Sequence, residues 1–188
     1  MTIDAALLDF VVDRRLPALN QLMIILSQRW FIAFICLSWA LALFFTLRRR
    51  RACVAVLAMV ASVVLADQVG ARLVKPWVDR ARPCHLRPEV ALPGVCSPGK
   101  SMPSGHAARL GAGAAVMALL LRRRGVVYAL PPLTMVCVSR VYLGVHFPSD
   151  VAAGVGLGIA ASMVVLGTLR LSGYALYESA EPARTANA

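Results

Sequence analysis

Three short polar stretches interrupt a largely apolar chain, and each lies where an apolar run begins or ends. Together they supply three cations, two imidazoles, a carboxylate and two serine hydroxyls. Groups of these types can hold a phosphate and cleave its bond, whereas helix packing does not account for them. The residues are Lys75, Arg82 and Pro83, then Pro103, Ser104, Gly105 and His106, then Ser139, Arg140, His146 and Asp150.

The phosphate-binding part of this site is expected to combine cationic side chains with a helix start. Arg82 and Arg140 can each present two parallel donors to phosphate oxygens, and Lys75 adds a compact charge. An arginine inside an apolar run needs an anionic partner or a water-filled cavity, because its burial is costly. At Ser104 the chain turns into a helix, whose free N–H groups and dipole attract anions. Gly105 lets the backbone approach closely, and Ser104 is expected to cap the helix and donate its hydroxyl.

His146 and Asp150 predict a nucleophile and its orienting carboxylate. A carboxylate that accepts from one ring nitrogen fixes the tautomer and leaves the other nitrogen free to attack. Because Pro148 lies between them, the pair is expected to bridge a loop and the first turn of the last helix. We expect His146 to attack phosphorus and His106 to protonate the leaving oxygen.

Four further charged residues have more than one interpretation. Arg109 lies one turn beyond His106 on the same helix face, where it could contact a second phosphate or pair with a carboxylate. Asp67 lies within an apolar run, which favours an ion pair in the membrane over chemistry. For Arg80 or Arg87, in and near the first polar stretch, extension toward the lipid headgroups is a reasonable structural interpretation.

The composition of the 188-residue chain is that of a membrane protein, with 59% hydrophobic residues and a mean hydropathy of +0.70. A spanning helix needs about 20 apolar residues. Five runs qualify, at 30–47, 52–74, 104–121, 126–145 and 148–169. We therefore expect an all-α integral membrane bundle, forming one domain over residues 1–188 with its motif core at 75–150.

The two ends of the chain are expected to lie outside the bundle core. Residues 1–28 contain several interrupting charges, so we expect an amphipathic segment at the membrane interface, with a sixth span as the alternative. The first residues carry Asp4 and Asp9 rather than a basic region, so no cleavable signal peptide is expected. Residues 178–188 are polar and are expected to form a flexible tail.

A formal net charge of +11 could indicate nucleic-acid binding, but the arginine distribution indicates a membrane protein instead. The clusters Arg48–Arg51 and Arg122–Arg124 each occupy a short connection after an apolar run. Such clusters mark the cytoplasmic side of a membrane. The motif-bearing loops are therefore expected on the outer face of a bacterial inner membrane, toward the periplasm or cell exterior, and no nucleic-acid partner is expected.

Two of the five cysteines, Cys84 and Cys96, lie in the loop at 83–102. An oxidising outer compartment permits a disulfide between them, which we favour over two free thiols. The prolines and glycines of this loop disfavour regular helix. The remaining cysteines lie within apolar runs and are expected to be inert.

Taken together, the three stretches resemble the signature motifs of the type 2 phosphatidic acid phosphatase family. Its pattern is Lys, six residues, Arg-Pro; then Pro-Ser-Gly-His; then Ser-Arg, five residues, His, three residues and Asp, and every position is filled between Lys75 and Asp150. The resemblance implies a helical bundle that cleaves lipid phosphates or pyrophosphates through a phosphohistidine, without a metal or cofactor. The outer helices match only as generic membrane spans, and the family's common six-span form would add one near the N-terminus.

The outward-facing site favours an undecaprenyl-pyrophosphate-like carrier lipid as substrate. Phosphatidic acid, phosphatidylglycerol phosphate and lipid A 1-phosphate stay open as alternatives. Vanadate-dependent haloperoxidases resemble the same motif set, but the membrane spans argue against them. A transporter would need polar residues across the whole membrane, whereas these motifs cluster at one face. The expected partners are the lipid substrate and the bilayer, and the sequence gives no indication of the oligomeric state.

Overall fold

The computed structural model describes residues 2–172 as a bundle of α-helices, with no strand among these residues. This confirms the all-α architecture expected from the sequence. The tail expected at 178–188 lies outside the described residues. The helices are α1 (Ile3–Asp13), α2 (Asn20–Leu26), α3 (Arg29–Thr46), α4 (Arg49–Val69), α5 (Lys75–Val78), α6 (Pro83–Leu86), α7 (Gly105–Leu121), α8 (Arg123–Tyr142) and α9 (Pro148–Leu171).

Four of the described helices are long and apolar enough to cross a membrane: α3, α4 with its continuation to Leu86, α8 and α9. All five apolar runs therefore form helices, but α7 is shorter, with 17 residues. More than half of its residues are buried, because α3, α4, α8 and α9 all pack against it. The motif-bearing α7 is thus the central helix of the bundle rather than a long lipid-facing span.

The N-terminal segment forms two short helices rather than one helix long enough to span the membrane. A 3-10 turn at Pro17–Leu19 separates α1 from α2. Helix α1 carries apolar residues on more than one side. It buries Leu8 against an apolar cluster on α8, α9 and the loop at 83–102, and it exposes Ile3, Leu7 and Phe10 on its other side. Its position at the membrane interface stays a prediction.

Helices α7 and α9 approach each other closely at glycines. A Cβ at Gly154 would lie 2.5 Å from the Ser104 carbonyl oxygen, and one at Gly158 would lie 2.3 Å from that of Ala108. Any larger residue would push the two helices apart. The contact also joins their first turns, since the Ser104 N–H donates to the Asp150 carbonyl oxygen at 2.9 Å. The second and third motifs are thereby held side by side.

The turn between α8 and α9 carries His146 and is held from two sides. Gly144 has a φ of +72°, and a Cβ there would lie 2.1 Å from the Val90 carbonyl oxygen. From the N-terminal segment, the Arg15 guanidinium donates to the carbonyl oxygens of Tyr142 at 2.6 Å and Val90 at 2.5 Å. The turn is therefore fixed between the loop at 83–102 and the N-terminal segment.

The loop at 83–102 is more regular than expected, because two of its prolines begin short helices instead of breaking them. Pro83 starts α6, and Pro88 starts a 3-10 turn that ends at Val90. A proline fits the first helical position, where the missing N–H has no intrahelical partner to lose. Cys84 and Cys96 form a disulfide across the loop, with their Cα atoms 6.0 Å apart.

Candidate active site

The three motifs converge on a cavity of about 600 Å³ at one end of the bundle. Two predicted site residues, Ser104 and Asp150, are fully buried beside it. The structure thus brings together every residue that the motifs singled out for chemistry, and the role of each stays a prediction. The other seven of the nine predicted site residues line the cavity: Lys75, Arg82, Gly105, His106, Arg109, Arg140 and His146.

His146 lies in the cavity wall, and its two ring nitrogens have different partners. Nη1 of Arg82 lies 3.0 Å from Nε2. A guanidinium can only donate, so Nε2 accepts and carries no proton. The proton of the neutral ring is then on Nδ1, which lies 3.5 Å from Oδ2 of Asp150. This tautomer leaves a lone pair on Nε2, the form that a nucleophilic imidazole requires.

The surroundings of His146 favour its neutral form. Its side chain is only 2% exposed. Burial lowers the pKa of His146 from its ordinary value of 6.5 to about 4, the charges of Arg140 and Arg82 lower it as well, and the bond to Asp150 opposes them. The imidazole is therefore unprotonated at neutral pH, in agreement with its contact to Arg82.

The Asp150 carboxylate is fully buried and surrounded by donors. Its Oδ2 accepts from the Phe147 N–H at 2.8 Å and from the Ser101 hydroxyl, while its Oδ1 accepts from Arg80 at 2.9 Å. The Ser101 hydroxyl also lies 3.4 Å from Nδ1 of His146. These contacts fix the carboxylate in one orientation, so that it can hold the His146 ring in turn.

Arg140 and Ser104 carry polar atoms that no protein group satisfies. Among the buried side-chain atoms of residues 2–172, only the Arg140 Nε and the Ser104 Oγ lack a hydrogen-bond partner. Ser104 occupies the N-cap position of α7 but makes no capping bond, contrary to the expectation from the sequence. Unpaired buried donors are costly unless a ligand completes them. Beside a helix start and several cations, that ligand is expected to be an oxyanion.

Lys75 and Gly105 complete the lining of the cavity. Lys75 follows a π-helical turn at Gly70–Val74, which interrupts the regular helix just before the first motif. A Cβ at Gly105 would meet only Oδ1 of Asp67, at 3.9 Å. Protein packing therefore does not require glycine at this position, and the space beside it belongs to the cavity.

His106 has an acceptor that the motifs did not predict. Its Nε2 lies 2.9 Å from the main-chain oxygen of Ser27, in the connection between α2 and α3. A carbonyl oxygen can only accept, so Nε2 carries a proton and Nδ1 is the second functional nitrogen. The Ser27 hydroxyl also accepts from Nη1 of Arg140.

Arg109 forms an ion pair with Asp67 on the cavity wall. Its Nε and Nη2 lie 3.0 and 2.8 Å from Oδ1 of Asp67. This is the carboxylate pairing that the sequence left open for Arg109, and it fits the ion pair expected for Asp67. Arg109 nevertheless borders the cavity, so a contact with a second phosphate stays a prediction.

The interpretation of Arg80 and Arg87 as extending toward lipid headgroups is wrong. Arg87 pairs with both oxygens of Asp9, at 2.8 and 3.2 Å. Arg80 bridges Asp4, at 2.5 Å, and Asp150, at 2.9 Å. Helix α1 supplies Asp4 and Asp9, and these nearby carboxylates pair with both arginines. Helix α1 is thereby fastened over the loops that form the site.

Comparison with known families agrees with this geometry. Residues 51–172 match the PAP2 superfamily, which is well over half of the chain. The chain belongs to the PAP2 superfamily. With four described helices able to cross a membrane and transmembrane structural relatives in this superfamily, it is a multi-pass membrane protein.

Individual PAP2 relatives cover different parts of the chain. A decaprenylphosphoryl-5-phosphoribose phosphatase of Mycobacterium tuberculosis is 40% identical over 94 residues, half of each chain. The chain thus spans about half the length of this curated relative. The transmembrane PAP2-type phosphatidylglycerolphosphate phosphatase of Bacillus subtilis has 25% identity and a TM-score of 0.66, covering 89% of this chain and 85% of its own. Aquifex aeolicus LpxE shares the fold, with 20% identity, a TM-score of 0.72 and coverage of 89% and 96%.

Three residues of this PAP2 site were not predicted from the sequence. Ser101 and Arg80 both hold Asp150, and Ser27 contacts His106. Arg80 and Ser101 lie within or just before motif stretches, so their polar character close to the motifs was an available signal. Ser27 precedes residues 51–172 and is far from every motif in the chain, so no sequence signal marked it.

Proposed function

We propose that this PAP2 protein hydrolyses the phosphate ester or anhydride of a membrane lipid, with His146 as the phosphoryl acceptor. The observation that supports this most directly is the contact between Arg82 and Nε2 of His146 at the wall of a cation-lined cavity. It gives an unprotonated nitrogen beside the charges that hold a phosphate. The apolar helices around the cavity suit a substrate that stays in the bilayer.

The reaction proceeds in two displacements at phosphorus. Nε2 of His146 attacks, the bond from phosphorus to the leaving oxygen breaks, and His106 gives that oxygen a proton. Because the Ser27 carbonyl holds Nε2–H of His106, the proton given to the leaving oxygen comes from Nδ1 of the imidazolium form, which the charge of the bound phosphate favours. Water then attacks the phosphohistidine, His106 takes its proton, and inorganic phosphate leaves with the His146 lone pair restored.

The charge that builds up on the phosphate oxygens is stabilised by fixed groups of the protein. Arg82, Arg140 and Lys75 line the cavity, and the first N–H groups of α7 have no intrahelical partner. This donor set supports a reaction that needs no metal ion. Positioning and electrostatics of this kind account for most of the catalysis in phosphoryl transfer.

Phosphate release from lipid substrates tests this function. The purified protein in lipid vesicles is expected to release phosphate from at least one member of a panel of lipid phosphates, and to continue in excess EDTA. The same preparation of His146→Gln measures contaminating phosphatases. Loss of activity with EDTA and its recovery with a divalent cation would contradict metal independence.

We further propose a prenyl pyrophosphate carrier lipid of the undecaprenyl type as substrate. The Mycobacterium tuberculosis relative is named for a decaprenylphosphoryl compound, which supports a prenyl chain. The structural relative from Bacillus subtilis is named for phosphatidylglycerolphosphate, so glycerophospholipids belong in the same panel, with phosphatidic acid and lipid A 1-phosphate. Arg109, at the cavity wall, is the residue expected to recognise a second phosphate.

Arg109→Ala is expected to discriminate between a prenyl pyrophosphate and its monophosphate. The lost contact is charge-assisted, so kcat/KM should fall about 10- to 100-fold on the pyrophosphate and far less on the monophosphate. Asp67→Asn is the matched control, because it removes the negative charge that pairs with Arg109 and keeps the cation. Equal losses on both substrates in Arg109→Ala would mean that Arg109 only supports the structure.

The cavity is proposed to face the periplasm or cell exterior, because the clusters Arg48–Arg51 and Arg122–Arg124 lie at the opposite helix ends. After reduction, an impermeant thiol reagent is expected to label the exposed Cys96 from outside intact cells. A cysteine in place of the exposed Arg124 should stay unlabelled. Cys96→Ser supplies the background from other thiols, and the reverse labelling pattern would place the site in the cytoplasm.

A further inference from the structure

Ser27 touches two predicted site residues from a part of the chain that carries no motif. Its main-chain oxygen accepts from Nε2 of His106 at 2.9 Å, and its hydroxyl accepts from Nη1 of Arg140. Ser27 also lines the cavity itself. It precedes residues 51–172, which match the PAP2 superfamily, so neither the motifs nor the family match assigns it a role.

The backbone at Ser27 is positioned without help from its hydroxyl. The Ser27 N–H donates to Met23 and Ile24 at the end of α2, and the next N–H donates to Ile25 at 3.1 Å. The preceding residue, Leu26, is buried, and α2 packs against α8. None of these contacts uses the Ser27 side chain, so the hydroxyl is held at the cavity and serves only the groups found there.

We propose that Ser27 is a further phosphate-binding residue of this site, an inference that rests on the proposed function. A hydroxyl that accepts from Arg140 still has its own proton to donate. In a cavity lined by cations, an oxygen of the bound phosphate is the acceptor that this proton meets. The Nε of Arg140 is unpaired and donates to the same phosphate, so the two side chains bind it side by side.

The two contacts of Ser27 also link the phosphate to the proton donor. The hydroxyl fixes Arg140 at the phosphate, and the carbonyl fixes His106, whose proton goes to the leaving oxygen. Both contacts come from one residue, so the spacing between the bound phosphate and the general acid is set by the connection between α2 and α3. Substrate binding and leaving-group protonation are therefore tied to the N-terminal segment.

Ser27→Ala tests the hydroxyl, with Ser27→Thr as the rescue and Ser27→Cys as a second variant of nearly unchanged volume. We expect kcat/KM for a lipid monophosphate in vesicles to fall about 10- to 100-fold in Ser27→Ala and Ser27→Cys, and to recover in Ser27→Thr. The inhibition constant of inorganic phosphate should rise with the same pattern. A smaller fraction of folded protein would lower the rate without moving that constant. Ser38→Ala is the control, since this serine only bonds to Ile35 within α3.

Two comparisons separate this inference from the proposed function. His146-dependent phosphate release by the wild type establishes the function first. An unchanged phosphate inhibition constant in Ser27→Ala then overturns the Ser27 assignment alone. An activity of Ser27→Ala above that of the wild type also overturns it, because it would mean that Ser27 blocks the site. Joint removal with Arg140→Ala should cost more than Arg140→Ala alone, because the Ser27 hydroxyl donates to the phosphate itself. A double variant no worse than Arg140→Ala would mean that Ser27 acts only through Arg140, and it would contradict direct binding.

Discussion

His146→Ala is expected to abolish phosphate release while leaving the protein folded and inserted in the membrane. The variant loses the nitrogen proposed to accept the phosphoryl group, so kcat should fall by about 10⁴-fold or more. The fold should persist because Arg82 keeps its bonds to the carbonyl oxygens of Val145 and Gly99, both at 3.1 Å. On the same preparation, phosphate release measures the activity and circular dichroism measures the helical fold. Substantial residual activity would end the proposed mechanism.

The same mechanism predicts a covalent intermediate that accumulates in His106→Ala. With p-nitrophenyl phosphate the leaving group needs no proton, so Nε2 of His146 still attacks. The second step then stalls, because His106 no longer takes the proton from water. Mass spectrometry under alkaline conditions should find phosphate on the peptide that contains His146. His85→Ala is the control, since His85 is exposed and lies outside the cavity lining.

The pH dependence of this first step follows from the burial of His146. Its pKa is lowered to about 4, so the attacking neutral form persists well below the ordinary value of 6.5. The rate with p-nitrophenyl phosphate should therefore stay level from pH 7 to about pH 5 and fall as the pH drops through about 4. An acid limb near pH 6.5 would contradict the buried, neutral nucleophile.

The same shift in the pKa of His146 also changes the stability of the fold, so the pH–rate measurement needs a control for unfolding. Below pH 6.5 the unfolded chain takes up a proton on His146, whereas the native protein does so only near pH 4. The contribution of this group to stability therefore decreases as the pH falls between these two values. Circular dichroism across the range separates lost structure from lost chemistry.

The bundle and most of the site could be predicted because both depend on local sequence. Apolar runs of sufficient length form helices in a membrane whatever they pack against, and the motif residues lie at the ends of those runs. Helix ends on one side of a membrane are brought together by the bundle. The cavity accordingly collects residues from Lys75 to His146 that are far apart in the chain.

The contacts that could not be predicted depend on how the N-terminal segment docks. The sequence alone suggests that Arg80 is a loop residue facing the lipid headgroups. In the structure, α1 places Asp4 2.5 Å from it. Ser27 has no neighbouring motif, and only the packing of α2 brings it to His106. Ser104 occupies the expected N-cap position of α7, but its buried hydroxyl lies beside the cavity and makes no capping bond.

Asp150→Asn is expected to reduce kcat by about 10³- to 10⁴-fold with little change in KM, because it reverses the tautomer of His146. The native carboxylate accepts on both oxygens, from Phe147, Ser101, Arg80 and the protonated Nδ1 of His146. A carboxamide has one oxygen for these donors and adds an NH₂ group of its own. An NH₂ that faces Nδ1 makes this nitrogen the acceptor, and the ring proton moves to Nε2, the atom that must attack.

Asp4→Asn is the matched control for this substitution. It replaces the other carboxylate that Arg80 contacts by an amide of nearly the same volume, and it leaves His146 and Asp150 in place. Its kcat should fall by less than about tenfold, since Arg80 keeps its bond to Asp150. If both variants lost activity equally, the activity would depend on the contacts of Arg80 and α1 rather than on the tautomer of His146. A loss confined to Asp150→Asn identifies the proton on Nδ1 as the feature that the buried carboxylate maintains.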